Sequence, residues 1–167
     1  MRFLITAGGT REVIDPVRFI SNASSGKMGH ALARAALVRG HKVTLITSPC
    51  SLRPPTGARV VNVITSHDLL LAVKEHFPKC TCLIMAAAVS DYTVAKPSKV
   101  KIKRSEGRLM LELKPTPDIL RWAAQHKEAG SRKPRGNTNR TASEAPGASW
   151  WVLRWRTVTS AAEQERN

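Results

Sequence analysis

The chain has 167 residues, enough for one domain with its own core, and 42% of them are hydrophobic, as in an ordinary globular protein. Its formal net charge of +15 at pH 7 indicates an anionic partner. The apolar start at residues 3–5 is too short for a signal sequence, and no apolar run reaches the roughly 18 residues of a membrane span. We therefore expect a cytoplasmic protein that contacts no membrane. Without a helix-turn-helix or zinc-finger motif, phosphorylated small molecules explain the charge as well as nucleic acid does.

Strands and helices alternate along the predicted chain. The hydrophobic pattern predicts strands over residues 2–6, 42–47, 59–64 and 81–87, and helices over residues 27–39, 66–76 and 119–125. Short connections between alternating elements predict an α/β fold, a Rossmann-like three-layer sandwich around a mainly parallel sheet. The expected apolar face of the first helix consists of Met28, Leu32, Ala35 and Leu37.

Helix ends and one hairpin are also predicted. Ser25 and Ser66 stand where N-caps belong, Gly40 and Pro78 stand where the first two helices end, and the last helix is capped within residues 116–118. Basic and apolar residues alternate over residues 99–104, which predicts an edge strand paired with residues 109–113 and its basic side chains on one face.

The start of the first helix is the strongest candidate for a ligand site. Lys27 lies in the first turn, where the helix dipole disfavours a cation unless an anion is bound there too. Backbone N–H groups, two hydroxyls and this ammonium group would cradle a phosphate; the alternative is an ordinary helix start with a solvated lysine. Because ligands of parallel sheets bind beyond the carboxyl ends of the strands, segments 7–26 and 86–104 are expected to form the site. The predicted nucleotide-binding residues are Gly8, Gly9, Ser24, Ser25, Gly26 and Lys27.

Several familiar motifs do not fit. A Walker A loop would need glycine at Ser21 and a hydroxyl residue at Met28, and a dinucleotide fingerprint would need an acidic residue at the end of the second strand. Cys50, Cys80 and Cys82 are too few and too irregular for a disulfide framework or a metal site, so no metal ligands are predicted.

Six motifs together identify a family resemblance. They are TAGGTR (6–11), DPVRFISN (15–22), SSGKMG (24–29), AAAVSDY (86–92), KIKR (101–104) and TPDIL (116–120). In this order they resemble phosphopantothenoylcysteine synthetase, a ligase of coenzyme A biosynthesis that is often the C-terminal half of a bifunctional flavoprotein. The resemblance covers residues 1 to about 134.

The resemblance implies an activity and a set of site residues. The family joins 4′-phosphopantothenate to cysteine through an acyl-cytidylate made from CTP, needs Mg²⁺ and works as a homodimer. It implies that Asn22 and the Ala87 backbone bind the substrate, and that Arg18 reaches it from the neighbouring subunit. Lys101 would neutralise the triphosphate and Asp91 would bind the ribose. Asn22 and Lys101 are the implied catalytic residues. Whether CTP or ATP is used, and whether a flavin decarboxylase domain is fused upstream, stay open.

The chain departs from the family pattern in two places. Arg104 replaces the usual lysine, and residues 135–167 do not match the strand and helix that follow in the family. We therefore divide the chain into a synthetase-like domain over residues 1–134, with its C-terminal part incomplete, and an atypical tail over residues 135–167. The sequence of the tail resembles the product of translation in a shifted reading frame. This departure and the positive charge favour an alternative, a nucleotide- or nucleic-acid-binding remnant without catalysis.

A second alternative is a short-chain reductase. Tyr92 and Lys96 have the Tyr-x-x-x-Lys spacing of those enzymes. That motif needs both side chains on one helical face, and Pro97 disfavours a helix at Lys96.

The tail generates a first prediction. If residues 135–167 are out of frame, they were not selected to pack, and we expect them to be disordered or loosely associated, to leave a sheet edge exposed and to promote aggregation. The alternative is a half-buried strand, since Trp150, Trp151 and Trp155 alternate with Arg154 and Arg156. Limited proteolysis of the full chain should then trim it within residues 132–140 to a core whose free energy of unfolding equals or exceeds that of the parent. A protected tail whose removal lowers that free energy would contradict the prediction.

Overall fold

The computed structural model describes residues 1–104, 106–127 and 152–154. Its strands are β1 (Arg2–Ala7), β2 (Arg11–Asp15), β3 (Arg18–Ser21), β4 (Lys42–Thr47), β5 (Arg59–Asn62), β6 (Cys82–Met85), β7 (Tyr92–Val94), β8 (Leu113–Pro115) and β9 (Val152–Arg154). Its helices are α1 (Lys27–Val38), α2 (Ser66–His76), which a short 3₁₀ turn at Phe77–Lys79 follows, and α3 (Ile119–Lys127). None of the described helices is long and apolar enough to cross a membrane.

A five-stranded parallel sheet forms the centre of the fold, with strand order β5-β4-β1-β6-β9. Central strand β1 pairs with β4 on one side and with β6 on the other, so that Leu4 lies opposite Thr44 and Leu83. Two short antiparallel pairs, β2-β3 and β7-β8, lie outside this sheet. The predicted α/β class and parallel pairing are confirmed, and β5 and β6 are two and three residues shorter than expected.

Helices cover both faces of the sheet. Ile5, Leu45 and Ile84 pack on the side of α1, and the alternate residues of the same strands face α2 and α3. Successive side chains of a strand point to opposite faces, so strands that are apolar throughout require cover on both. These two buried clusters confirm the three-layer sandwich.

Helix α1 approaches the sheet more closely than its sequence pattern suggested. Its buried residues are Gly29, His30, Ala33 and Ala36, and Met28 is 47% exposed, so the expectation that Met28 belongs to the apolar face is wrong. The reason is the close approach to β1: a Cβ at Gly29 would lie 2.5 Å from the Ala7 Cβ and 2.7 Å from the Thr6 carbonyl oxygen. Small residues therefore form the contact with the sheet.

Two of the predicted N-caps lie one residue away from the true caps. Gly26, not Ser25, is the N-cap of α1, with a positive φ of 74° and no side-chain capping bond. Thr65, not Ser66, caps α2: its hydroxyl accepts from the Asp68 N–H at 3.1 Å, and Asp68 accepts in return from the Thr65 N–H at 2.9 Å. This reciprocal pair is a capping box, which satisfies two of the helix's unpaired donors.

The predicted start of α3 and the predicted ends of α1 and α2 agree with the structure. Asp118 Oδ1 accepts from the Arg121 N–H at 2.9 Å at the start of α3, which confirms the predicted capping segment. Gly40 has a φ of 75° just after α1, and α2 gives way to the 3₁₀ turn that contains Pro78.

The predicted hairpin between residues 99–104 and 109–113 is wrong. Residues 99–104 form no strand, and β8 pairs with β7 instead. Side chains occupy the backbone groups that a strand would use: the Ser98 hydroxyl donates to the Val100 carbonyl oxygen at 2.7 Å, and Asp15 accepts from the Ile102 N–H at 3.1 Å. Tyr92 lies in β7, so the reductase-like spacing to Lys96 is not on a helix, as Pro97 indicated.

The sequence analysis missed the β2-β3 hairpin. Asp15 Oδ1 closes its turn by accepting from the N–H groups of Val17 and Arg18 at 2.9 and 2.8 Å, an arrangement that an Asp-Pro dipeptide favours. Buried Glu12 ties the hairpin to α2 by accepting from the Ser66 N–H at 2.8 Å. Glu12 therefore anchors the hairpin to the main sandwich, and Asp15 holds its turn closed.

The tail contributes to the sheet where the structure describes it. Val152–Arg154 pair in parallel with β6, so the expectation that this sheet edge is exposed is wrong at these positions. The remaining tail residues, including Trp150, Trp151 and Trp155, lie outside the described part of the chain. The division at residue 134 and the proteolysis outcome stay predictions.

The contact between α1 and β1 generates a second prediction. Gly29→Ala should lower the free energy of unfolding by about 1–3 kcal/mol, because the added methyl group overlaps the Ala7 side chain and the Thr6 backbone. Helix propensity alone would predict a gain of about 1 kcal/mol, so the sign distinguishes the two effects. Urea unfolding measures the change, and Met28→Ala on the exposed side of the same turn serves as the control, with a change near zero.

Candidate functional site

A cleft of about 920 Å³ lies at the carboxyl ends of the parallel strands. Three segments form its walls: residues 22–28 at the start of α1, residues 85–89 with Asp91 after β6, and residues 116–120 at the start of α3. Segments 7–26 and 86–104, which the sequence placed at this end of the sheet, thus both contribute to the walls.

Backbone hydrogen bonds join the loops behind the cleft. The Ala88 N–H donates to the Gly8 carbonyl oxygen at 2.8 Å, and the Thr10 N–H donates to the Ala88 carbonyl oxygen at 3.2 Å. The buried Thr10 hydroxyl accepts from the Ser90 N–H at 3.0 Å, and the Thr6 hydroxyl accepts from the Ala87 N–H at 3.1 Å. The backbone at Ala87 is therefore held in place before any ligand binds.

Of the three predicted glycines, Gly26 lines the cleft, whereas Gly8 and Gly9 lie behind its walls. A Cβ at Gly9 would lie 2.7 Å from the Asn22 carbonyl oxygen, and a Cβ at Gly26 would lie 3.3 Å from the Gly8 nitrogen. Gly26 also has a left-handed φ, which favours glycine. Gly9 and Gly26 thus allow the loop over residues 22–26 to lie directly on the end of β1.

Most of the predicted site residues meet on the cleft walls. They are Asn22, Ser24, Ser25, Gly26, Lys27, Ala87 and Asp91. The Asn22 amide donates to the Val89 carbonyl oxygen at 3.2 Å, which joins the loop before α1 to the loop after β6. An exposed ammonium group at a helix start suits a phosphate, and an exposed carboxylate suits a hydroxyl donor.

Arg18 and Lys101 are not on these walls. The Arg18 guanidinium binds Asp15 Oδ2, with Nε at 2.9 Å and Nη2 at 2.5 Å, and Nη2 also donates to the Ile102 carbonyl oxygen at 2.6 Å. Lys101 is exposed and immediately precedes that carbonyl. The structure therefore places the two predicted cationic residues in neighbouring segments on the side of the β2-β3 hairpin, off the cleft walls that Asn22 lines.

Asp15 is the polar residue at this site that the sequence analysis did not assign. It is 2% exposed, and the Arg18 guanidinium lowers the pKa of its carboxyl well below the ordinary 3.8; burial opposes this shift, and backbone donors at Val17, Ile102 and Arg18 add to it. The Asp-Pro dipeptide in the sequence could have indicated that Asp15 closes a turn. Its contact with Ile102 could not be predicted, because it depends on the tertiary structure.

Two further titratable residues, His30 and Cys80, lie off the cleft walls and are buried in the fold. Buried His30 pairs its Nδ1 with the Gly26 carbonyl oxygen at 3.0 Å, and its Nε2 lies 4.0 Å from the Cys50 sulfur. Burial raises the pKa of the Cys80 thiol to about 11. Within the described residues, no three His, Cys, Asp or Glu side chains are grouped so that they could hold a metal ion.

Comparisons with known proteins match this chain over the same segment. The family model described as the DNA/pantothenate metabolism flavoprotein C-terminal domain matches residues 1–133. The coenzyme A biosynthesis bifunctional protein CoaBC of Mycobacterium tuberculosis is 46% identical over 131 residues, which are 77% of this chain and 31% of that protein. A cysteine/cysteine sulfinic acid decarboxylase from an unknown prokaryotic organism is 48% identical over 119 residues, 71% of this chain and 33% of its own length.

A solved structure agrees with these relatives. The crystal structure of the C-terminal domain of a coenzyme A biosynthesis bifunctional protein CoaBC superposes with a TM-score of 0.67 and 41% identity, over 75% of this chain and 59% of that chain. The chain thus spans about a third of the length of the curated relatives that it matches. The matched segment is the one that carries the cleft.

The Asp15–Arg18 pair generates a third prediction. The folded carboxyl holds its proton more weakly than the unfolded one, so the pair stabilises the fold fully above pH 4 or so, and this stabilisation declines as the pH falls below the ordinary pKa of 3.8. Arg18→Gln should therefore unfold at a lower urea concentration than the parent at pH 7. The difference between the two urea midpoints, here called the gap, should narrow as the pH is lowered towards 3. Arg11→Gln, on the same hairpin but stacked on Phe19, is the matched control with a pH-independent gap. A constant gap for Arg18→Gln would contradict the prediction.

Proposed function

Because this chain belongs to the DNA/pantothenate metabolism flavoprotein C-terminal domain family, we propose that it serves coenzyme A biosynthesis as a phosphopantothenate–cysteine ligase. The 4′-phosphopantothenate carboxylate would attack the α-phosphorus of CTP and release pyrophosphate. The cysteine amine would then attack the acyl-cytidylate, lose a proton and release CMP. The observation that carries the proposal is the cleft, in which family motifs from distant parts of the chain line one cavity.

The cleft offers complementary groups for a nucleotide. The start of α1 provides backbone N–H groups, the hydroxyls of Ser24 and Ser25, and the Lys27 ammonium group for phosphates. We assign Asp91 to the ribose, since an exposed carboxylate accepts hydrogen bonds from a diol. Asn22 and the Ala87 backbone, which Thr6 holds in place, would bind the carboxylate that is activated.

A magnesium ion would come with the triphosphate. Mg²⁺ at nucleotide sites is bound by phosphates and one or two carboxylates rather than by an all-protein cage. Asp91 and Asp118 on the cleft walls fit that requirement, although Asp118 Oδ1 already caps α3. When bound, the ion would neutralise charge on the phosphates.

The positions of Arg18 and Lys101 support a homodimer as the working form. Both residues lie off the cleft walls of their own chain, so we assign them to the cleft of a second copy. Apolar side chains on the same segments are exposed, with Val17 59%, Phe19 48% and Val100 71% exposed, as a partner-facing surface requires. In that arrangement Arg18 would contact the substrate carboxylate and Lys101 the charge that develops at phosphorus.

Two substitutions test these assignments and form a fourth prediction. Lys101→Gln should lower the rate of pyrophosphate release from CTP in the presence of 4′-phosphopantothenate by about a hundredfold, roughly 3 kcal/mol, because it removes a cation from a developing phosphoryl charge. Asn22→Asp should lower it similarly, because it places a second anion beside the substrate carboxylate.

The assay needs matched controls and two forms of the protein. Lys99→Gln and Asn62→Asp make the same chemical changes at exposed positions off the cleft walls, and each should keep the parent rate. Each variant is made in the 167-residue chain and in a chimera in which residues 1–133 replace the matching segment of the Mycobacterium tuberculosis relative. Parent rates for Lys101→Gln and Asn22→Asp in an active chimera would contradict the assignments. CTP binding without pyrophosphate release by the 167-residue parent would favour the binding-only alternative for this chain.

A further inference from the structure

The Asp15 carboxylate accepts five hydrogen bonds beside the site. It is buried, and Oδ1 accepts from the N–H groups of Val17 and Arg18 at 2.9 and 2.8 Å. Its Oδ2 accepts from Nε and Nη2 of Arg18 at 2.9 and 2.5 Å and from the Ile102 N–H at 3.1 Å. One carboxylate thus joins the hairpin turn to a segment more than eighty residues away in the chain.

Arg18 completes a hydrogen-bond network of three residues, Asp15, Arg18 and Ile102. Its Nη2, held by Asp15, also donates to the Ile102 carbonyl oxygen at 2.6 Å. Both polar groups of residue 102 are therefore bound to one ion pair, the N–H by the anion and the C=O by the cation. Charge-assisted hydrogen bonds of this kind are about twice as strong as neutral ones.

This network is the main attachment of the Lys101 segment. In the described part of the chain, residues 99–104 form no strand, and the bonds at Ile102 are their hydrogen bonds to other segments. The nearest other anchor is the Ser98 N–H, which donates to the Ile14 carbonyl oxygen at 2.8 Å. The position of Lys101 thus depends on the same carboxylate that orients Arg18.

We propose that Asp15 is a positioning residue that holds Arg18 and Lys101 in one fixed arrangement. It contacts no substrate; it acts by orienting the guanidinium and by fixing the backbone that carries the lysine. The catalytic consequence rests on the proposed function, in which both cations act on the nucleotide and the substrate. The positioning itself is a property of the fold and is tested separately.

Amide hydrogen exchange of the full 167-residue chain tests the positioning. Asp15→Asn should speed exchange of the Ile102 amide by at least about tenfold, since its charge-assisted bond is lost, while the amides of β1 keep their parent rates. Asp68→Asn is the control: it weakens the cap of α2 and should leave Ile102 unchanged. If Asp15→Asn does not fold, Arg18→Gln tests the same network from the other side and should also expose residue 102. Unchanged protection of Ile102 in the folded variants would overturn the proposal.

A double-substitution cycle tests the consequence for activity. Asp15→Asn, Arg18→Gln and the double variant are compared for pyrophosphate release from CTP. If Asp15 acts through Arg18, the double variant should be no more than about twofold slower than the slower single variant, because both changes remove one coupled unit. Losses that multiply would show that Asp15 acts independently and would overturn the role. If the parent releases no pyrophosphate, the proposed function fails, and the exchange result still decides the positioning.

Discussion

The close approach of α1 to β1 determines where the other parts of the site can lie. Because Gly29 brings the helix backbone against Ala7 and Thr6, the loop before α1 must cross the end of β1. Gly9 and Gly26 then let that loop lie against the backbone there, and the loop after β6 joins it through Ala88 and Val89. The cleft is the space that remains between these loops and the start of α3.

The polar groups of the fold are divided between two regions with different properties. The cleft presents Asn22 and Asp91 on loops that hydrogen bonds join to neighbouring segments, and Lys27 at the start of α1. The hairpin side presents Arg18 and Lys101, which depend on the buried Asp15 carboxylate for their position. A rigid cleft and a separately held pair of cations suit a reaction that moves negative charge during phosphoryl transfer. The exposed apolar residues beside that pair are consistent with our proposal that a second copy completes the site.

Part of the tail pairs with β6 and so covers one edge of the four-stranded sheet that the rest of the chain forms. The five-stranded order places Val152–Arg154 there, in parallel register with Leu83, Ile84 and Met85. An unpaired edge of buried strand residues is an aggregation hazard, so any segment that pairs with β6 protects the sheet. This pairing gives the tail a structural role at three residues, whatever its composition elsewhere.

Local patterns in the sequence were sufficient for the sandwich and for most of the cleft. Apolar runs such as residues 82–85 must be covered on both faces, and parallel strands bring their carboxyl ends together, so the positions of Asn22 and Ala87 followed from chain order. The family resemblance, carried by six motifs, is confirmed by the match over residues 1–133. The face of α1 was misjudged at Met28 because hydrophobic periodicity does not register how closely a glycine lets a helix approach.

The arrangement of residues 99–104 was decided by tertiary contacts alone. Alternation of lysine with apolar residues is a strand pattern, but a strand needs free backbone groups, and Asp15 and Arg18 bind those of Ile102. No local pattern relates residue 15 to residue 102, since their contact depends on how the hairpin folds against the rest of the chain. The sequence by itself thus indicated which residues are candidates for the chemistry. The long-range hydrogen bonds decided which of these candidates share the cleft and which are held apart from it.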